Sequence, residues 1–290
     1  MKIVNFGSLN LDYVYHVPHF VQAGETIAST SREVFSGGKG LNQSVALSKA
    51  GMDVYHAGFV GSDGDILIDT LKENGVHLDF VKKLDGAGGH TVIQVDPNGQ
   101  NSIIAHGGTN RMFTQEYIKE VLSNFSEGDI VVVQNEINLV GFIAKEAHKK
   151  GLRVVLNPSP WDENLIDVPF EMIDYLIINE IEGMCLSGSS KIDEIIPLVN
   201  KKYPNLKIVL TLGKEGAKYF DGNEEFYHPA VPADVVDTTG AGDTFLGYFI
   251  FGLANRLSPI SILSLASRAS AIAVARSGAA VSIPMYAEVG

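Results

Sequence analysis

The sequence predicts an α/β fold: a mostly parallel central sheet flanked by helices on both faces, with a small β lid outside it. Three observations carry that expectation. The runs Ile130-Val131-Val132-Val133, Arg153 to Leu156, Tyr175-Leu176-Ile177-Ile178 and Ile208-Val209-Leu210-Thr211 are nearly continuous in aliphatic residues and are separated by helical patterns. Such runs mark parallel strands buried on both faces. The segments 10–17, 27–35, 91–95 and 102–105 differ in being polar on alternate residues or rich in Ser and Thr, as strands half-exposed outside a buried sheet are. Several helical patterns close on a glycine, at Gly51, Gly75 and Gly151.

Taken in order, Lys2 to Phe6 is a first strand, and Leu11, Tyr13, Tyr15 and Val17 alternate with polar neighbours in the next. Ser36-Gly37-Gly38-Lys39-Gly40-Leu41-Asn42-Gln43 then opens a helix from about Leu41 to Lys49. Its glycines let backbone lie against a small ligand, and Lys39 and Asn42 offer donors. Val54 to Val60 is a strand and Asp65 to Asn74 an amphipathic helix. Thr91 to Val95 and Ser102 to Ala105 flank Asp96-Pro97-Asn98-Gly99-Gln100, whose Asn-Gly signals a hairpin. Helices over Gln115 to Asn124 and Leu139 to Lys150 alternate with the buried strands. The strand ends carry Gln134-Asn135-Glu136, Asn157-Pro158, Asn179-Glu180-Ile181-Glu182 and Thr211-Leu212-Gly213. Ligands of open α/β sheets bind at that edge.

Composition narrows the function. With 290 residues, 45% hydrophobic and 19% charged, the chain reads as an ordinary globular protein. A formal net charge of −12 argues against nucleic-acid binding, which needs a basic face. Cys185 stands alone, so no disulfide framework or thiolate metal site is expected. The apolar start of the chain is too short for a signal peptide, and no apolar run is long enough to span a membrane. The expectation is a soluble, cytoplasmic protein. No Gly-x-Ser-x-Gly elbow suggests a hydrolase, and the histidines lack the partners of a zinc site.

The chemistry centres on Asp237-Thr238-Thr239-Gly240-Ala241-Gly242-Asp243, followed at once by the apolar run Thr244 to Phe251. Two glycines before an apolar helix make an anion hole from first-turn amides and the helix dipole. A carboxylate there repels phosphate unless it is poised to take a proton. Phe245 stands where a dinucleotide fingerprint has its third glycine, and no Lys-Ser or Lys-Thr makes a P-loop. Alone, the motif also reads as a tight turn with a helix cap.

Together with Gly7-Ser8-Leu9-Asn10-Leu11-Asp12, Gly37-Gly38-Lys39-Gly40-Leu41-Asn42-Gln43, Asn179-Glu180-Ile181-Glu182 and Thr211-Leu212-Gly213, this motif resembles the ribokinase-like (PfkB) family of sugar and nucleoside kinases, most closely its ribokinase branch. The resemblance implies a ribokinase-like three-layer fold forming a single domain over 1–290, with the lid built from about 11–36 and about 89–106. It implies an ATP-dependent kinase that phosphorylates a primary hydroxyl of a small free sugar, ribose first. A ketohexose, a deoxy sugar or a nucleoside is the alternative acceptor, and a non-catalytic sugar- or nucleotide-binding relative the alternative class.

Carried over position by position, Asp243 matches the general base and the amides of Gly240, Ala241 and Gly242 the anion hole. Asn10, Asp12, Gly38, Lys39, Asn42 and Glu136 match the grip on the sugar, with Asp12 and Glu136 accepting and Lys39 and Asn42 donating. Asn179 and Glu182 match the pair that organises Mg²⁺ and its waters, and Thr211 and Gly213 the nucleotide side. Asp237, Thr239, Ala273, Gly278 and Ser282 match a monovalent-cation site, so K⁺ is expected beside ATP and Mg²⁺. A homodimer through the lid is the family expectation, with no membrane or nucleic-acid partner. The segment Gly88-Gly89-His90-Thr91, with His90 and His106, departs from the family pattern.

Overall fold

The computed structural model describes residues 1–290. Its strands are β1 (Lys2–Phe6), β2 (Asn10–His16), β3 (Ser31–Gly37), β4 (Asp53–Val60), β5 (His77–Lys83), β6 (Gly89–Val95), β7 (Asn101–His106), β8 (Ile130–Gln134), β9 (Arg153–Asn157), β10 (Tyr175–Asn179), β11 (Lys207–Thr211), β12 (Ala217–Phe220) and β13 (Glu225–His228). Its helices are α1 (Lys39–Lys49), α2 (Asp65–Glu73), α3 (Gln115–Leu122), α4 (Val140–Lys149), α5 (Glu180–Ser187), α6 (Ile192–Lys202), α7 (Ala241–Ala254), α8 (Pro259–Val274) and α9 (Tyr286–Val289). No helix is long and apolar enough to cross a membrane.

Nine strands form the central sheet in the order β13-β12-β11-β10-β9-β8-β1-β4-β5. The strands from β5 to β11 pair in parallel, and the β12–β13 hairpin adds two antiparallel strands at one edge. The continuous apolar runs follow from burial on both faces. Ile130 and Val132 join a core of 34 buried residues shared with α1, α7 and α8, while Val131 and Val133 join one of 33 shared with α3, α4 and α6. Near-equal cores on opposite faces give three layers.

From β1 the chain proceeds through β4 and β5 to one side, and from β8 through β9, β10 and β11 to the other. The strand order therefore reverses between β1 and β8, where a crevice opens at the carboxyl ends. α1 lies across that crevice, and Gly40 lets it come close. A Cβ there would stand 2.3 Å from the Ser8 amide nitrogen and 2.4 Å from the Gly7 carbonyl carbon.

A second sheet, β3-β2-β6-β7, projects from the same edge. β2 pairs with β6 in parallel, and β3 and β7 flank them antiparallel. β7 is exposed throughout. The sequence places the second lid strand at 27–35, whereas the structure places it at Ser31–Gly37. Residues 27–30 belong instead to the turn that closes onto β2, where the Thr30 amide donates to the His16 carbonyl at 2.8 Å.

Candidate active site

Gly240 caps α7 with φ 76°, a left-handed conformation that turns the chain sharply into the helix. The amides of Gly242 and Asp243 fall in the first turn, which has no carbonyl one turn back to bond them. The Ala241 amide lies 3.3 Å from the Thr238 carbonyl, so it is partly engaged within the turn. A Cβ on Gly242 would meet nothing within 4 Å, which leaves room for a ligand against the backbone. Asp243, next in sequence, is buried.

α1 supplies the partners of Asp243. Its Oδ2 accepts from Nδ2 of Asn42 at 3.2 Å and its Oδ1 from Nε2 of Gln43 at 2.9 Å. One Asn42 amide hydrogen is thus directed at the base, and its Oδ1 is buried with no partner. The second amide hydrogen keeps the expected donor role open. Lys39 lies among Asp243, Glu136 and Glu182. Burial works to lower its pKa, but those three carboxylates outweigh it and hold the ammonium above its ordinary value.

The lid root organises a second cluster. Glu136 Oε2 accepts from the Ser8 hydroxyl and, at 3.0 Å, from the Lys39 amide. Asn10 Oδ1 accepts from Asn110 Nδ2 at 2.7 Å, which turns the Asn10 amide hydrogens the other way. Thr91, on β6, donates to Asp12 Oδ1 at 2.6 Å. Burial raises the Asp12 carboxyl to about 6 despite that bond, and Glu136 adds to the rise. Gly38, with φ 91°, caps α1 without a side chain and packs against Ser8 and Asn10.

A cavity of about 430 Å³ runs from Lys39 and Asp243 along the ends of β10 and β11. Gly240 and Gly242 line it together with Asn179, Glu182, Thr211 and Gly213. Only three of its fifteen lining residues are hydrophobic, which suits a charged ligand more than an apolar one. The sugar-side residues Asn10, Asp12, Gly38, Asn42 and Glu136 stand outside this cavity, where Asp12 lies against Gly37, Asn10 against Gly38, and Glu136 against Lys39.

Asn179 and Glu182 form a capping box at the start of α5. The Glu182 amide donates to Asn179 Oδ1 at 2.9 Å, and Glu182 Oε2 accepts from the Asn179 amide at 3.0 Å. Cap and ligand group are compatible, because the Glu182 carboxylate also lines the cavity and each of its oxygens has lone pairs left for water. One buried carboxylate beside a phosphate-sized space fits Mg²⁺, which keeps waters and takes most of its other ligands from phosphate. No cluster of three His, Cys, Asp or Glu side chains forms a carboxylate- or thiolate-rich centre.

Asp237 ties two loops together. Its Oδ1 accepts from the Thr239 amide at 2.9 Å and hydroxyl at 2.6 Å, and its Oδ2 from the Gly278 amide at 2.9 Å. Burial would raise this carboxyl, but those bonds hold it below the usual carboxylate range. The 237–239 and 278–282 segments therefore lie side by side. The Ser282 hydroxyl donates to the Ala279 carbonyl at 2.8 Å, and the Ala273 carbonyl accepts from the Arg276 amide at 3.0 Å. Only oxygen donors are present, which fits a hard monovalent cation and not a soft metal.

Several residues of this architecture carry roles that the sequence does not announce: Ser8, Gln43, Thr91 and Asn110. Each is a common polar residue whose role rests on a partner far along the chain.

Comparison with known proteins identifies the family. The model of the pfkB family carbohydrate kinases matches residues 1–285. A ribokinase of Bacillus subtilis is 34% identical over 292 residues, covering 99% of this chain and 98% of that one. The structure of Arabidopsis thaliana ribokinase complexed with ribose and ATP superposes with a TM-score of 0.89 at 31% identity, covering 99% and 97% of the two chains. Ribokinase from Cryptococcus neoformans in complex with ADP gives 0.86 at 32% identity, covering 99% and 98%.

Proposed function

The chain belongs to the pfkB family of carbohydrate kinases, and from that premise we propose that Asp243 is the general base of an ATP-dependent sugar kinase whose acceptor is ribose. The observation that carries the reading is the placement of Asp243: buried, in the first turn of α7, between a lid-root cluster of hydrogen-bonding side chains and a polar cavity.

In this reading the sugar sits at the lid root. Asp12 and Glu136 accept from its hydroxyls, Lys39 and Asn10 donate, and Gly38 lets backbone approach. Asn42 donates its remaining amide hydrogen to the sugar, and its Oδ1 can accept from a hydroxyl. Asp243 removes the proton of the primary hydroxyl as its oxygen attacks the γ-phosphorus of ATP. The bond to the β-phosphate oxygen breaks, and ADP leaves with that electron pair. The amides around Gly240, Ala241 and Gly242 meet the charge on the transferred group, where preorganised donors act most strongly. Lys39 stays protonated between the carboxylates and bridges the sugar and phosphate sides.

Thr211 and Gly213 border the nucleotide. Asn179 and Glu182 would hold Mg²⁺ through water, and that ion would neutralise phosphate charge. Asp237, Thr239, Ala273, Gly278 and Ser282 would surround K⁺, which would steady the loop carrying the anion hole.

Release of ADP from Mg-ATP tests the whole reading. Ribose is expected to respond well above deoxyribose, ketohexoses and nucleosides, and turnover in potassium is expected to exceed that in sodium. A stronger response to another acceptor would reassign the substrate, and equal rates in both salts would remove the cation site.

The lid also suggests how the protein assembles. Ile103 and Ile104 are 55% and 65% exposed on β7, an edge strand with nothing over it. Pairing with a second lid would cover both the edge and the side chains. A dimer through the lid is therefore expected, and sedimentation as a monomer at micromolar concentration would contradict it.

A further inference from the structure

Beneath α1 a chain of buried polar side chains runs across β8, β1 and β4. Gln43, Gln134, Asn5, Ser44 and His56 are each no more than 1% exposed. Burying five polar side chains in one core is costly, and although Gln134 Oε1 and His56 Nε2 have no partner, the bonds that do form have a direction.

The direction starts at His56. Complete burial pushes its imidazole down to about 3, so the ring is neutral. Its Nε2 lies on the side of the Gly7 carbonyl without completing a hydrogen bond, and with the proton on that nitrogen Nδ1 accepts from the Ser44 hydroxyl at 2.8 Å. The Ser44 oxygen then accepts from Asn5 Nδ2 at 2.8 Å, and the other Asn5 amide hydrogen goes to the Gly40 carbonyl at 2.8 Å. Asn5 Oδ1 accepts from Gln134 Nε2 at 2.8 Å, and the same nitrogen donates to Gln43 Oε1 at 2.7 Å. Gln43 Nε2 is left facing Asp243 Oδ1 at 2.9 Å and Asn157 Oδ1 at 3.2 Å. Each amide hydrogen has one acceptor. Flipping the Gln43 amide would set oxygen against the Asp243 and Asn157 oxygens and nitrogen against the Gln134 nitrogen.

We infer that Gln43 is a positioning residue for phosphoryl transfer, whose amide, locked by the buried chain ending at His56, holds the Asp243 carboxylate in the orientation that meets the acceptor hydroxyl. The inference rests on the reading of Asp243 as the base. Gln43 is fully buried and both polar atoms of its amide are taken by Asp243, Asn157 and Gln134, so it acts through Asp243 and not on the ligand. With Asn42 holding the other oxygen, the carboxylate plane is fixed from both sides, and lone pairs remain for the substrate. A displacement of about 1 Å at a reacting group costs on the order of 100-fold in rate, which is the scale of what Gln43 secures.

Gln43→Met keeps the length of the side chain and removes its donor and acceptor. The expected result is a kcat for ribose about 10- to 100-fold lower, with KM for ribose and for ATP within about twofold. A merely structural role would lower the melting temperature and leave kcat alone. A kcat within about twofold of the parent overturns the inference, as does a loss confined to KM. If Gln43→Met does not fold, Ser44→Ala cuts the chain at His56 without touching Gln43. It is expected to lower kcat about 3- to 10-fold at unchanged KM, and an unchanged kcat overturns the inference there too. Asp243→Asn, assayed in parallel, separates the failures. An active Asp243→Asn sinks the base assignment, whereas an inactive one beside a fully active Gln43→Met sinks only the positioning role.

Discussion

Asp243→Asn is expected to lower kcat by about 10³- to 10⁴-fold while leaving ribose and ATP binding within a few-fold of the parent. The substitution keeps shape and volume and removes only the charge and basicity. Its amide can still meet Asn42 and Gln43, with one of its two polar atoms now a donor facing a donor. The structural cost is therefore local, and α7 keeps its cap at Gly240. What disappears is the acceptor for the proton of the attacking hydroxyl. Residual turnover would come from positioning and from the first-turn amides, which the variant retains. Calorimetry with ribose and with ATP, beside a single-turnover assay, separates the two quantities. A variant that binds both ligands and keeps a tenth of the parental kcat would remove Asp243 from the role of base.

The parts of the architecture that could be read from sequence are those whose signal is local. Val131 and Val133 face one core and Ile130 and Val132 the other, so β8 shows as an unbroken aliphatic run. The same holds for β9, β10 and β11. β5, by contrast, has the sequence His-Leu-Asp-Phe-Val-Lys-Lys at the sheet edge, where only alternate residues need cover, and it passes for a loop. The β12–β13 hairpin turns through Asp221-Gly222, with Gly222 at φ 101°, but its strands are only four residues long. A pattern that short has no measurable period.

The site divides along the same line. Gly240, Gly242 and Asp243 are adjacent in the chain, and glycine before an apolar helix announces backbone chemistry. Ser8 meets Glu136 across 128 positions, Asn110 meets Asn10 across 100, and Gln43 meets Asp243 across 200. No window on the sequence contains both partners. The bond between Asn42 and Asp243 is equally hidden, because its carboxylate partner stands 201 residues away.

Asp12→Asn is expected to make the protein more stable at neutral pH and a poorer enzyme. The Asp12 carboxyl is raised from 3.8 to about 6, chiefly by burial. A raised carboxyl contributes stability while it is protonated, and that contribution is lost as pH rises from the unfolded value through about 6. At pH 7 the ionised group thus costs the folded state about 1–3 kcal/mol relative to a neutral isostere. The neutral amide of the variant would recover that amount, and the gap between variant and parent should close by about pH 4, where both side chains are neutral. Catalysis moves the other way. A charged acceptor for a sugar hydroxyl contributes about 1.5–3 kcal/mol, so KM for ribose should rise about 10- to 100-fold. Parental KM should itself climb as pH falls below about 6, while that of the variant stays flat. Melting curves from pH 4 to 8 and ribose titrations over the same range read both effects. If the variant melted no higher at pH 7 and bound ribose as well as the parent, Asp12 would be neither strained by burial nor in contact with the sugar. The opposed signs are what a binding carboxylate imposes: it must be kept partly dry to grip a hydroxyl, and the fold bears the cost until the sugar arrives.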